Sequence, residues 1–302
     1  MNSRRPTVGL LLALVTAFLW ALQPILLVKI MQSLDPLTVT FFRFSIAGLC
    51  LCCYLFVRGN VYEVKFIRSS VTIMQLLTAG SLLAANYGLC IVGLSLTPPE
   101  ATNIIMQLSP MLLLLAGIWV FDEPFSQVQW VGSGVMVVGL AMFFGNRIND
   151  LVSLDENYTL GVLLVAASAV SWAGYAILQK KLLAQFSSHQ TMAIFFLIGG
   201  LIFLPLADTS SLVTLDESGF LLVVVAGLIT LIAYICFAQS LIETDASRVS
   251  AVIALTPLVT LLAMQFVNIK GMDSEPITGS SIVGAMLVVC GSVMVSALDR
   301  GS

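Results

Sequence analysis

The stretch LSPMLLLLAGIWVFDEPFSQVQWVGSGVMVVGL, running from Leu108 to Leu140, states a plan that the chain repeats from Leu255 to Val293. The first version sets a proline inside an apolar span (Leu108-Ser109-Pro110), then an acidic stop (Glu123-Pro124), then Gly132 and Gly139 in the next apolar span. The second has Leu255-Thr256-Pro257, Glu275-Pro276, Gly284 and Gly291. The Glu-Pro pairs and both glycine pairs are 152 residues apart, as are Trp20 and Trp172, and Lys29 and Lys181. The prolines are 147 apart, so a short insertion precedes the second Glu-Pro. Self-similarity at one fixed offset marks a duplicated unit.

The unit belongs in a membrane. Of 302 residues, 59% are hydrophobic and only 10% charged, with mean hydropathy +1.03, too little charge to clothe a water-facing surface. A net charge of −3 with no basic run argues against a nucleic-acid partner. The six cysteines (Cys50, Cys52, Cys53, Cys90, Cys236, Cys290) lie in apolar runs without paired CxxC spacing and read as small packing residues. Arg4 and Arg5 before the run Val8 to Val28 imitate a signal peptide, but that run is long enough to span and reads as a first helix.

Ten apolar runs follow, near 7–28, 36–57, 69–94, 98–120, 126–145, 159–180, 188–207, 218–242, 247–268 and 277–297. Backbone amides in lipid must be paired within the segment, and no strand-like alternation is present, so each run is expected to be a helix. With the N-terminus inside, the inner segments hold Arg4, Arg5, Arg58, Lys65, Arg68, Lys180, Lys181, Arg248 and Arg300, whereas the outer ones hold Lys29, Arg147 and Lys270. Both termini are therefore expected in the cytoplasm. Five spans per half make the halves, 1–148 and 149–302, enter from opposite faces as inverted repeats, the architecture of alternating access. The polar segment Asn146 to Asn157 is their linker. The glycine-rich fifth and tenth spans are expected to brace the bundle through close backbone packing.

Phe42-Arg43-Phe44-x-x-Ala47, Asn86-Tyr87-x-Leu89, Leu108-Ser109-Pro110 and Glu123-Pro124 followed by Gly132 and Gly139 together resemble the drug/metabolite transporter superfamily, in particular bacterial EamA-type exporters. The resemblance covers essentially the whole chain. It implies an all-α integral membrane fold of ten helices in two inverted five-helix repeats around a central cavity. It also implies a site in the bacterial inner membrane and export of small metabolites. The chain departs from two-fold equivalence where Phe195 stands at the position related to Arg43.

Polar side chains inside spans are costly against lipid and mark candidate cavity positions: Gln23, Asn86, Gln107, Gln179 and Gln239, with Ser109, Ser240, Ser250 and Thr256. Interhelical hydrogen bonding competes with substrate contact for each. Trp20 and Trp172 occupy equivalent places, and Tyr87, Tyr175 and Tyr234 add rings with polar tips, suited to packing or to an amphipathic pocket. Arg43 is the one charge well inside a span; it either holds an anion or snorkels outward over two turns. Pro110 and Pro257 are expected to kink the fourth and ninth spans and free the Met106 and Ile253 carbonyls. Glu123-Pro124 reads as a helix boundary, Glu100 as a helix cap, and Glu243, Asp245 and Arg248 as a solvated turn. His189 is the sole histidine, so no metal site, cofactor or catalytic pair is expected.

These readings converge on a transporter of a small organic solute, an amino acid or related metabolite, with Trp20, Gln23, Arg43, Asn86, Tyr87, Gln107, Trp172, Tyr175, Tyr234 and Gln239 as its substrate-binding residues. The expected surroundings are the small-molecule substrate and the lipid bilayer, with the chain a monomer or weak homodimer. A flippase or antiporter for a lipid-linked or nucleotide-linked sugar is the alternative on the same fold, disfavoured because phosphates call for paired cations. An intramembrane enzyme ranks third.

Overall fold

The structure, a computed structural model, describes residues 5–58, 69–97, 102, 105–143, 156–264 and 278–296. They form helices α1 (Pro6–Ile30), α2 (Pro36–Val57), α3 (Ser70–Leu96), α4 (Leu108–Val120), α5 (Gln127–Phe143), α6 (Glu156–Leu182) and α7 (Ser188–Phe203). There follow two 3-10 turns (Leu204–Leu206 and Thr209–Thr214), then α8 (Glu217–Glu243), α9 (Ala246–Ile253), α10 (Thr256–Met264) and α11 (Gly279–Ser296). Glu100, Glu275-Pro276, Arg4, Lys65, Arg68, Arg147, Lys270 and Arg300 lie outside the described residues.

Among the described residues, seven helices are long and apolar enough to cross a membrane: α1, α2, α3, α6, α7 extended through Leu206, α8 and α11. Three shorter apolar segments, Leu108–Val120, Gln127–Phe143 and Ala246–Thr260, accompany them. Local sequence explains where several begin. Asp35 accepts hydrogen bonds from the Leu37 and Thr38 amides at 3.0 Å, ahead of Pro36 in the first position of α2. Ser187 and Gln190 close a capping box on α7. The Asp216 carboxylate accepts from the Gly219 amide at 2.8 Å to start α8.

The most extensive helix contacts join the two halves of the chain, α5 with α11, α3 with α6, α1 with α8 and α2 with α7, and α4 also packs on α9. The largest buried cluster accordingly mixes them, with Phe44, Leu83 and Tyr87 from the first half against Tyr175, Phe195, Phe196 and Phe237 from the second. The two smaller buried clusters likewise draw on both halves. Leu11, Phe18, Phe56, Trp119, Leu201 and Leu262 are exposed, as they should be where the solvent is hydrocarbon.

Helices α5 and α11 approach backbone to backbone. A Cβ placed on Gly139 would sit 2.7 Å from the Val288 amide nitrogen and 2.8 Å from the Gly284 carbonyl; one on Gly132 would sit 3.0 Å from the Gly291 carbonyl. Only glycine admits that spacing, and Gln129 seals the pair by donating to the Val295 carbonyl at 2.9 Å.

The prolines do not kink continuous helices. A turn at Gln107 precedes α4, and Ala254-Leu255 separates α9 from α10, so Pro110 and Pro257 each fall in a helix's first turn, where the missing amide is no loss. The Ile253 carbonyl is not freed, because the Thr256 hydroxyl donates to it at 2.6 Å. The two breaks are instead tied together, with the Ser250 hydroxyl donating to the Pro110 carbonyl.

Candidate functional site

Between the halves lies a cavity of about 210 Å³. Trp20, Gln23, Arg43, Asn86, Tyr87, Gln107, Trp172 and Tyr234 line it, eight of the ten residues expected from sequence, together with Ser109, Pro110, Thr256 and Pro257 at the helix breaks. Neither α5 nor α11 contributes a wall residue.

Arg43 is 3% exposed and does not snorkel. Its Nη2 donates to Gln23 Oε1 at 2.6 Å and to the Tyr87 hydroxyl at 3.4 Å, and its Nε donates to Thr230 Oγ1 at 3.1 Å. The guanidinium also stands 4.7 Å from the centre of the Tyr87 ring. Thr230 is held in turn, accepting from Gln23 Nε2 at 3.0 Å and donating to the Ala226 carbonyl at 2.8 Å. A buried guanidinium is thus fixed by neutral oxygens on α1, α3 and α8, which orient its fork without neutralising it.

The aromatic residues form one continuous cluster. Trp20 meets Trp172 edge to face at 5.6 Å and Tyr234 at 5.2 Å, and Tyr87 lies 5.9 Å from Tyr234. Such pairs add about 0.5–1.5 kcal/mol each beyond burial, so the aromatic wall is held in place before any ligand arrives.

Two expected residues lie elsewhere. Tyr175 is fully buried behind the wall, 5.7 Å from Phe195 and 6.0 Å from Tyr234. Gln239 is at the far end of α8, accepting from the Ser188 hydroxyl at 3.1 Å and donating to Glu243 at 3.2 Å. Asn86 lines the cavity, yet its amide is committed to α6, donating to Ser168 Oγ at 2.8 Å and to the Ser168 carbonyl at 3.1 Å. Gln179 is a core residue that donates to Met192 Sδ at 3.0 Å. Ser109 donates to the Ala169 carbonyl and Ser240 to that of Phe237.

Sequence reasoning missed Thr230, Cys90, Ile91 and Leu94. The last three also line the cavity and follow Tyr87 at helical spacing, so the periodicity of α3 was the available signal. Cys90 thus borders the cavity, and Cys50, Cys53 and Cys290 are exposed.

Below the cavity the halves are latched by a residue read from sequence as a boundary marker. The buried Glu123 carboxylate accepts from the Ala246 amide at 2.7 Å, from the Ser247 amide at 2.9 Å and from the Ser247 hydroxyl at 2.7 Å, capping α9. Lys180, near the end of α6, donates its ammonium to the same carboxylate. Burial pushes the Glu123 carboxyl up, but the Lys180 charge and the hydrogen bonds from Lys180 and Ser247 outweigh it and hold the group below the usual carboxylate range. Glu243, Asp245 and Arg248 are likewise buried at this end rather than solvated. Glu243 accepts from the Arg5 amide at 3.0 Å and from its guanidinium at 3.2 Å.

Comparison with known proteins gives this arrangement a family. A transporter from Haemophilus influenzae, described as uncharacterized, is 30% identical over 96% of this chain and 95% of its own. An uncharacterized inner membrane transporter of Escherichia coli, YhbE, is 30% identical over 95% and 90%. A probable amino-acid metabolite efflux pump of Escherichia coli is 22% identical over 93% and 92%. A solved crystal structure at 18% identity superposes with a TM-score of 0.75 over 97% of each chain, which shows the fold. The sequence profile of the EamA-like transporter family matches twice, at residues 7–145 and again at 159–297. The chain is thus a multi-pass membrane protein that belongs to the EamA-like transporter family.

Proposed function

We propose that the protein crosses the inner membrane ten times, as inverted five-helix repeats 1–148 and 149–302, and exports small organic metabolites, amino acids or related compounds foremost, by alternating access. The observation that carries this reading is the cavity between the halves, walled by side chains of both and latched at one end by Glu123 and Lys180. A solute pathway needs such a site at the repeat interface, with irregular backbone bordering it, and the breaks at Gln107 and Ala254-Leu255 supply that. The name of the amino-acid metabolite efflux pump from Escherichia coli supports the substrate class.

Placing both termini in the cytoplasm, as the arginine and lysine balance favours, puts the Glu123 latch on the inner face. The wall residues then fall mostly in the middle and outer parts of their spans, so this conformer is shut inward and is the one that releases an exported solute to the periplasmic side. No carboxylate lines the cavity among the described residues, which favours facilitated or counter-ion-driven movement over proton coupling through the site. A nucleotide-linked sugar fits less well, since Arg43 is the sole cation in the wall as described.

Uptake of a labelled panel of amino acids and their derivatives into proteoliposomes tests the reading. Saturable flux is expected for at least one compound, and Trp20→Ala or Gln107→Ala should lower it about tenfold or more, with protein in the membrane unchanged. A panel without saturable flux refutes the proposal; normal kinetics in both variants removes these residues from the site.

A further inference from the structure

Among the described residues the cavity wall holds one positive charge and no negative one. The charge is the Arg43 guanidinium. Its Nε and Nη2 are satisfied by Thr230, Gln23 and Tyr87, all neutral, and among the described residues no acceptor meets Nη1. A buried guanidinium is normally met by an anion, and the wall as described contains none. Gln107 supplies the second vacancy: its Oε1 is buried in the same cavity without a hydrogen-bond donor among the described residues. The remaining wall is largely apolar or aromatic, with Trp20, Trp172, Ile91 and Leu94.

Taken together, the wall presents a planar cationic edge, one buried acceptor and an apolar surface. Resting on the transport reading above, we infer that its substrates are monoanionic organic acids. Such a substrate is a carboxylate bearing an apolar side chain and an uncharged donor, a hydroxyl or an acylated amine, taken in preference to a zwitterionic amino acid. The carboxylate pairs with the free edge of Arg43, where a planar fork suits it, and the donor meets Gln107. The ammonium of a free amino acid finds no acid group in the wall and is repelled by Arg43 across a low-dielectric space. These substrates are amino acids whose amine has been replaced by a hydroxyl or acylated, so they must be supplied either by deamination to the 2-oxo acid followed by its two-electron reduction with a hydride donor, or by acyl transfer to the amine.

Three compounds with one isobutyl side chain separate the charges: 2-hydroxy-4-methylpentanoate (anion), leucine (zwitterion) and leucinamide (cation). Binding to the purified protein is read by quenching of tryptophan fluorescence, since Trp20 and Trp172 line the cavity. The hydroxy acid is expected to bind about tenfold or more tightly than leucine, and leucinamide most weakly. Arg43→Gln should erase this order, weakening the hydroxy acid about a hundredfold and leucine far less. Should that variant not fold, Gln107→Leu serves: it should keep the preference for anions while the hydroxy acid loses its advantage over 4-methylpentanoate. Leucine binding as tightly as the hydroxy acid, or an unchanged order in Arg43→Gln, overturns the inference. If leucine is bound and carried while the hydroxy acid is refused, transport stands and the anion assignment falls; if proteoliposomes move neither and neither binds, both fall.

Discussion

Glu123→Ala is expected to reduce transport about a hundredfold and to lower the thermal midpoint of the purified protein. The change removes the carboxylate that caps α9 through three hydrogen bonds and leaves the buried Lys180 ammonium without it. Breaking a buried pair from one side costs about 3–5 kcal/mol, enough to shift a two-state equilibrium by two orders of magnitude or more. The conformer that loses is the one latched at this end. Double substitution discriminates pairing from general damage: Glu123→Gln with Lys180→Met should be milder than Glu123→Ala, because both members of the buried pair are replaced together. The pH dependence has a definite sign. Because folding lowers the Glu123 carboxyl, its contribution is complete above the unfolded value of about 4.3 and is lost as pH falls through the folded one. Glu123→Gln should therefore lack this part of the wild type's acid sensitivity in a thermal-melt series.

The second large effect lies far from the cavity. Gly284→Leu should prevent α5 and α11 from closing, since even a Cβ there would stand 2.6 Å from the Gly139 carbonyl and 2.8 Å from the Phe143 Cα. Backbone cannot move aside as a flexible side chain can, so the cost should exceed the usual range of about 1–3 kcal/mol for overpacking. A fall of at least roughly 6 °C in thermal midpoint, or loss of the monodisperse peak in detergent, is expected. Gly134 has nothing within 4 Å of an added Cβ, so Gly134→Leu on the facing helix α5 is the matched control and should melt like the wild type. Substrate affinity of any Gly284→Leu protein that does fold should be near normal, as these helices contribute no wall residue.

How much of this the sequence carried depended on the range of the interaction. Periodicity and cost in lipid pointed at cavity residues because Trp20, Gln23, Tyr87 and Gln107 are out of place in hydrocarbon wherever their partners are. The method failed where helix phase decided. Gln239 lies five residues beyond Tyr234, about 140° around α8, so it misses the cavity that Tyr234 lines. Tyr175 lies one turn from Trp172, and its ring is taken up by Phe195 and Phe237 behind the wall. Glu123 was misread for another reason. Its partners Lys180 and Ser247 are 57 and 124 residues away, and no local rule couples a loop carboxylate to a helix start at that distance. Thr230 escaped notice because a threonine in a span usually bonds its own helix, as this one does to Ala226. Its second task, receiving Arg43 and Gln23, exists only once α1, α2 and α8 have packed.

The proposed alternation of the cavity between two faces is tested most directly by thiol labelling of Gln107→Cys, with the six native cysteines replaced. A membrane-impermeant maleimide is applied to right-side-out or inverted vesicles. The account predicts fast labelling from the periplasmic face when Glu123 is intact, and a large gain in labelling from the cytoplasmic face in Glu123→Ala. Position 107 reacting equally from both faces in each protein, or from neither face in both, would contradict it.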